Sequence, residues 1–133
     1  MFCATSQGLV LFEIVSTFGD NILAFRHRGP VTDSEFVAIA DMVADLPRRG
    51  DVLLLLDWVG IKDWAFSAPG GDALLAWRRA AKTIRRIAIV HDPRLNRPAA
   101  WLGAVMRQEG VIVRSWRPQH AALAATWLQT DVS

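Results

Sequence analysis

The chain has 133 residues, 52% hydrophobic and 21% charged, with a formal net charge of +2. These proportions suit one globular domain, residues 1–133, and exclude a disordered or fibrous chain. No apolar run approaches the roughly 20 residues that span a bilayer, and the opening stretch lacks the basic start of an export signal.

In chain order, "LVLFEIVST" is β-branched and apolar and predicts a first strand. Gly19–Asn21 reads as a turn and "ILAFRHRG" as a second strand, so the chain opens with a β-hairpin. "TDSE" (Thr32–Glu35) is a capping box, and Phe36, Ile39, Val43 and Leu46 follow at helical spacing. Arg48 and Arg49 suit the negative end of that helix, and Gly50 suits a left-handed stop. "DVLLLLD" is continuously apolar and predicts a strand covered on both faces. It ends at Asp57, and Trp58 and Trp64 fall in what reads as a short loop. A helix is expected from about Asp72 to Thr83, with Leu74, Trp77, Ala81 and Ile84 on one stripe.

"RIAIVHD" predicts another buried strand. Asn96 can cap a helix that has Pro98 in its first turn, faces inward through Trp101, Leu102, Val105 and Met106, and stops at Gly110. "VIVRSW" is the last strand, and Pro118 opens a final helix with Leu123 and Trp127 one turn apart. The fold class is therefore α/β: a mixed, mostly parallel sheet of about five strands opened by a hairpin, with about four helices packed on it.

Ligands of open α/β sheets favour the crevice beyond the carboxyl ends of the parallel strands. Asp57 with Trp58, His91 with Asp92 and Arg94, and Trp116 with Arg117 stand at three such ends. They are candidates for a pocket or an interface, together with Trp64 and Ser67. The same residues have a structural reading, in which the tryptophans cap the core and the aspartates accept N–H groups of the next loop. His91 beside Asp92 or Asp57 has the makings of an acid–base pair, but neighbours on a strand point opposite ways. No nucleophile set is complete: Ser16, Ser67 and Ser115 are scattered. His27, His91 and His120 lie in no metal-ligand spacing and Cys3 is alone, so no metal, no cofactor and no internal disulfide are expected; the compartment that follows is a reducing cytoplasm. "APGGD" opens a helix without the lysine or the spacing of a phosphate-binding loop.

Met1–Ala76 carries five Lys/Arg against ten Asp/Glu, and Trp77–Ser133 ten against three. In "WRRAAKTIRR", Arg78, Lys82 and Arg85 share a helical face that could meet acidic lipid at a membrane surface, or simply be solvated. Nucleic acid is not expected, because total charge is low and no recognition motif is present.

The hairpin, the strand ending "LLLD", the tryptophan-bearing segment, "IRRIAIVHD" (Ile84–Asp92) and the closing "WL" (Trp127, Leu128) together resemble the SpoIIAA-like family over about Leu9–Leu128. Those are small bacterial proteins that look like the STAS domain of anti-sigma-factor antagonists. The resemblance implies a four- or five-stranded sheet and a non-enzymatic protein-interaction switch. In antagonists a serine of a "DSSG" loop is phosphorylated. Ser67 matches the second serine, whereas Ala65, Phe66 and Ala68 depart from the pattern. The expected partner is a protein, with a small amphipathic ligand or acidic lipid as the alternative. A homodimer is the assembly that base rates favour.

Overall fold

A computed structural model describes residues 2–4, 11–14, 22–47, 50–64 and 70–130, with side chains from residue 22 onward. Six strands form one sheet in strict chain order. β1 (Phe2–Ala4), β2 (Leu11–Ile14) and β3 (Ile22–Val31) are antiparallel neighbours; β4 (Val52–Trp64), β5 (Ile84–Val90) and β6 (Ile112–Trp116) continue parallel to β3. The expected hairpin is β2–β3, its turn at Gly19–Asn21 lies outside the described residues, and the sheet has six strands where five were expected.

Four helices join or follow the strands: α1 (Asp33–Ala44), α2 (Gly71–Ala81), α3 (Asn96–Gln108) and α4 (Ala121–Gln129). The chain steps from β3 to β6 in one direction with parallel strands. Right-handed crossovers then place every connecting helix on the same face. Phe36, Ile39 and Val43 of α1, Ala76, Trp77 and Ala80 of α2, and Leu102, Val105 and Met106 of α3 share a core with Phe25, Leu54, Leu56, Trp58, Ile87 and Ile89. Each large apolar side chain buried there contributes about 1.5–3 kcal/mol. The opposite face, with Ile22, Leu53, Ala88 and Val90, is covered by Ala124 and Leu128 of α4.

Local signals explain most boundaries. Thr32 caps α1 by accepting the Glu35 N–H at 3.3 Å. Gly110, at φ +86°, follows α3. Gly50 also has positive φ but sits after the helix, in the turn where its N–H donates to Lys82 O at 2.8 Å on the way into β4; Arg48 and Arg49 lie outside the described residues. Asn96 is the first residue of α3 rather than its cap, because a 3-10 turn, Pro93–Leu95, capped by Asp92, leads into the helix.

Two further expectations are corrected. The segment Trp58–Trp64 is strand, not loop: β4 runs on past Asp57 and pairs with β3 as far as Val31–Trp64. A bulge makes this possible. Between the Arg26–Asp57 and Arg28–Gly60 pairs, β4 uses one residue more than β3, so Trp58 and Ile61 both reach the core across an odd spacing. The second correction concerns the basic stretch. α2 ends at Ala81 and β5 begins at Ile84, so Arg85 and Arg86 are strand residues and Arg78, Lys82 and Arg85 share no helical face. Arg85 is exposed, whereas Arg86 is buried, its guanidinium donating to the carbonyls of Trp127 and Thr130 and stacking 5.6 Å from the Trp127 ring.

Candidate functional site

Register brings the three predicted strand ends to one line: Asp57 pairs with Val90, and Val90 with Trp116. Alternation then sorts the side chains between faces. Trp116 belongs to the α4 side, where its ring lies 6.3 Å from Trp127 and under the Arg114 guanidinium at 4.4 Å. His91 belongs to the other side, 6.4 Å from the Trp58 ring.

The tryptophans of the extended strand are mainly core. Phe36 is a hub whose ring centroid lies 5.0 Å from Trp64 and Trp77, 5.7 Å from Trp101 and 6.2 Å from Trp58. Trp58 is 1% exposed. It cannot contact a partner directly, which corrects the expectation that it lines a surface loop. Trp64 is half-buried and its indole N–H donates to Asp33 Oδ1 at 3.1 Å. Ser67 lies outside the described residues.

The carboxylates are committed locally. Asp57 accepts the Val59 N–H at 3.1 Å and faces Arg26 at 3.4 Å. Asp92 accepts the Arg94 N–H at 2.9 Å and the Arg94 guanidinium at 2.9 Å; those hydrogen bonds hold its carboxyl below the usual range. His91 does not touch the Asp92 carboxylate. Its Nδ1 lies 2.7 Å from the Asp92 carbonyl, and since a carbonyl only accepts, Nδ1 is the donor.

Arg94 reaches further. Its other guanidine N–H groups donate to the carbonyls of Ile61 and Lys62, each at 3.2 Å. β4 has lost β5 as a neighbour at this height, and the guanidinium occupies the side of the strand that β5 leaves open. The basic residues of α2 are likewise paired: Arg78 with Glu109 at 3.3 Å, and Arg79 with Asp41 and Asp45 at 3.6 and 3.8 Å. With Arg85 on a strand, the cationic helix face expected for acidic lipid is not formed.

Two hollows flank the site. One, of about 420 Å³, lies where the N-termini of α1 and α2 meet and contains "GGD" of the glycine-rich stretch. Asp33 and Asp72 line it, so an anion there would face two carboxylates. The other, of about 490 Å³, opens between α3 and the edge strand β6 and takes in His91, Asn96, Arg107, Ser115, Trp116 and Arg117. Arg107 carried no signal in the sequence; its place depends on Gly103, one turn earlier, and on β6. Among the described residues no three His, Cys, Asp or Glu side chains converge on a metal position, and no helix is long and apolar enough to cross a membrane.

Comparison with known proteins bears on the fold. The SpoIIAA-like family model matches residues 22–129. A crystal structure of an uncharacterized protein of the DUF3478 family from Shewanella loihica, described as having a SpoIIAA-like fold, superposes with a TM-score of 0.60 at 18% identity, covering 90% of this chain and 93% of that one. No curated protein matches the chain.

Proposed function

The chain belongs to the SpoIIAA-like family, and on that premise we propose that it is a non-enzymatic protein-interaction or regulatory module whose contact surface is the outer side of the projecting β3–β4 ribbon. One observation carries the reading: Trp58–Trp64 extends beyond the last pair with β5, so among the described residues β3 and β4 stand out from the sheet as a two-stranded ribbon. Its inner side is anchored by Trp58, Ile61 and Trp64. Its outer side exposes Val59, Lys62, Asp63, Arg28 and Pro30. Val59 is 43% exposed, and Leu75 on the adjoining α2 is 61% exposed. A rigid, core-anchored ribbon with a mixed apolar and charged outer side loses little conformational entropy on docking.

The non-enzymatic part is supported by the fate of the carboxylates. Asp92 serves Arg94 and Asp57 serves Arg26 and the Val59 N–H, so neither orients His91 as a base.

Paired variants at exposed positions test the reading. Val59→Asp with Lys62→Glu leaves the core untouched, so the melting temperature should stay within a few degrees of the parent. Proteins that co-purify with the tagged parent from its own cells should be lost from the double variant. An identical set of co-purifying proteins, with the variant folded, would remove the ribbon as the contact surface.

A further inference from the structure

The hollow between α3 and β6 combines basic, polar and apolar side chains. Its lining is His91, Pro93, Asn96, Ala99, Ala100, Arg107, Ser115, Trp116 and Arg117. Two arginines line it and no carboxylate does. Among the described residues neither arginine has an ion-pair partner, whereas Arg26, Arg78, Arg79 and Arg94 all do. With two arginines and no carboxylate in its lining, the hollow is biased toward an anion.

Arg107 is held in place. Its guanidinium folds back along α3 onto Gly103, where a Cβ would stand 2.9 Å from Nη1, and its Nη2 donates to Val113 O on β6 at 3.1 Å. The glycine leaves room for the guanidinium, and the carbonyl fixes its direction. Remaining N–H groups of the fork are left for a planar or tetrahedral oxyanion.

His91 is the independent observation. It is 7% exposed, yet its ring lines the hollow. Nδ1 is used by the Asp92 carbonyl, and Nε2 has no hydrogen-bond partner among the described residues. That nitrogen is not among the sealed, unpartnered atoms of the interior, so it is open to the hollow and within reach of a ligand there. Nε2 can accept from a ligand hydroxyl or, once protonated, donate to an oxyanion.

We infer that this hollow binds a small organic anion, a carboxylate or phosphate monoester on a short apolar body, with Arg107 as the anchor and His91 Nε2 at the inner end. Pro93, Ala99 and Ala100 supply the apolar wall. Pockets for small molecules have this make-up, mostly apolar with a few convergent polar groups. The site is separate from the ribbon and stands whether or not the ribbon binds a partner.

The test is a nuclear magnetic resonance titration of the full chain with phenyl phosphate, benzoate, inorganic phosphate and, as an uncharged control, benzyl alcohol. Phenyl phosphate or benzoate should produce saturable shifts at the Ala99 and Ala100 amides and the His91 ring, and benzyl alcohol should not. The arm that saturates at lower concentration identifies the head group, and inorganic phosphate shows how much the apolar body adds. Arg107→Gln should weaken binding about tenfold. Gly103→Ala keeps the arginine but places a methyl group where the guanidinium lies, and should weaken binding comparably. Arg97→Gln, on the same helix outside the hollow, should leave it unchanged. The inference is overturned if neither aromatic anion saturates these signals, or if Arg107→Gln and Arg97→Gln bind alike.

Discussion

A Cβ on Gly60 would stand 2.8 Å from the carbonyl oxygen of His27. The contact is between the bulged strand and the backbone of its neighbour, so no flexible side chain can yield. Gly60 is therefore fixed by close approach, at the point where β4 leaves the regular sheet. Gly60→Ala should cost about 1–3 kcal/mol by forcing the β3–β4 ribbon apart. Urea unfolding of the variant beside the parent checks this, and an unchanged midpoint would mean that the ribbon gives way without cost.

His27 itself makes stability depend on pH. Burial pushes its imidazole down from 6.5 to about 4. In the unfolded chain it takes up a proton below pH 6.5, while the folded chain resists until about pH 4. The unfolded state thus binds more protons in that window, and stability falls as the pH falls. At pH 5 the loss relative to pH 7 should be about 2 kcal/mol. His27→Gln should remove most of that difference. Denaturant titrations of both proteins at pH 7 and pH 5 measure it, and parallel losses in the two would assign the effect to other groups.

Trp58 and Trp64 separate core from hydrogen bond. Trp58→Ala empties space beside Phe36 and should cost about 3–5 kcal/mol. Trp64→Phe keeps a ring against Phe36 and deletes the donor to Asp33, and should cost about 1 kcal/mol. Should Trp58→Ala leave the unfolding midpoint in place, the buried position of that ring would be wrong.

Arg94 covers carbonyls that a neighbouring strand would otherwise take. Arg94→Ala should leave the melting temperature nearly unchanged, since the side chain is exposed, yet speed amide exchange along Ile61–Trp64 as the ribbon loosens. Exchange at the parent rate would show that the guanidinium does not brace the strand.

Much of the architecture was legible because its signals are local. The capping box at Thr32–Glu35, the apolar run of Val52–Leu56 and the alternation of helix and strand each follow from a few adjacent residues. What escaped depends on distant groups. The extension of β4 was hidden because the bulge at Trp58–Val59 breaks the period of two, and "WVGIKDW" then reads as a loop. The start of β5 was hidden because Arg85 and Arg86 look like a cationic helix end. Arg86 tolerates burial only through the carbonyls of Trp127 and Thr130, more than forty residues on. Parallel strands align their carboxyl ends, so Asp57, His91, Asp92 and Trp116 stand along one edge of the sheet, with the Trp116 ring turned to the α4 face. Arg107 and Ser115 joined that neighbourhood through α3 and the edge strand, which no spacing in the sequence reveals.

The placement of α4 has a consequence for how the protein is made. Strands β1 to β6 sit in the order in which they are synthesised, each beside its predecessor, so none has to wait for a later strand before it can pair. The helices that shield one side arrive between the strands. The shield for the other side comes after all six, and until Ala121–Gln129 leaves the ribosome, Ile22, Leu53, Ala88 and Val90 face water together. The nascent chain therefore passes through a stage in which a finished sheet is greasy on one side, the stage at which a chaperone has the most to hold and a stalled ribosome the most to lose.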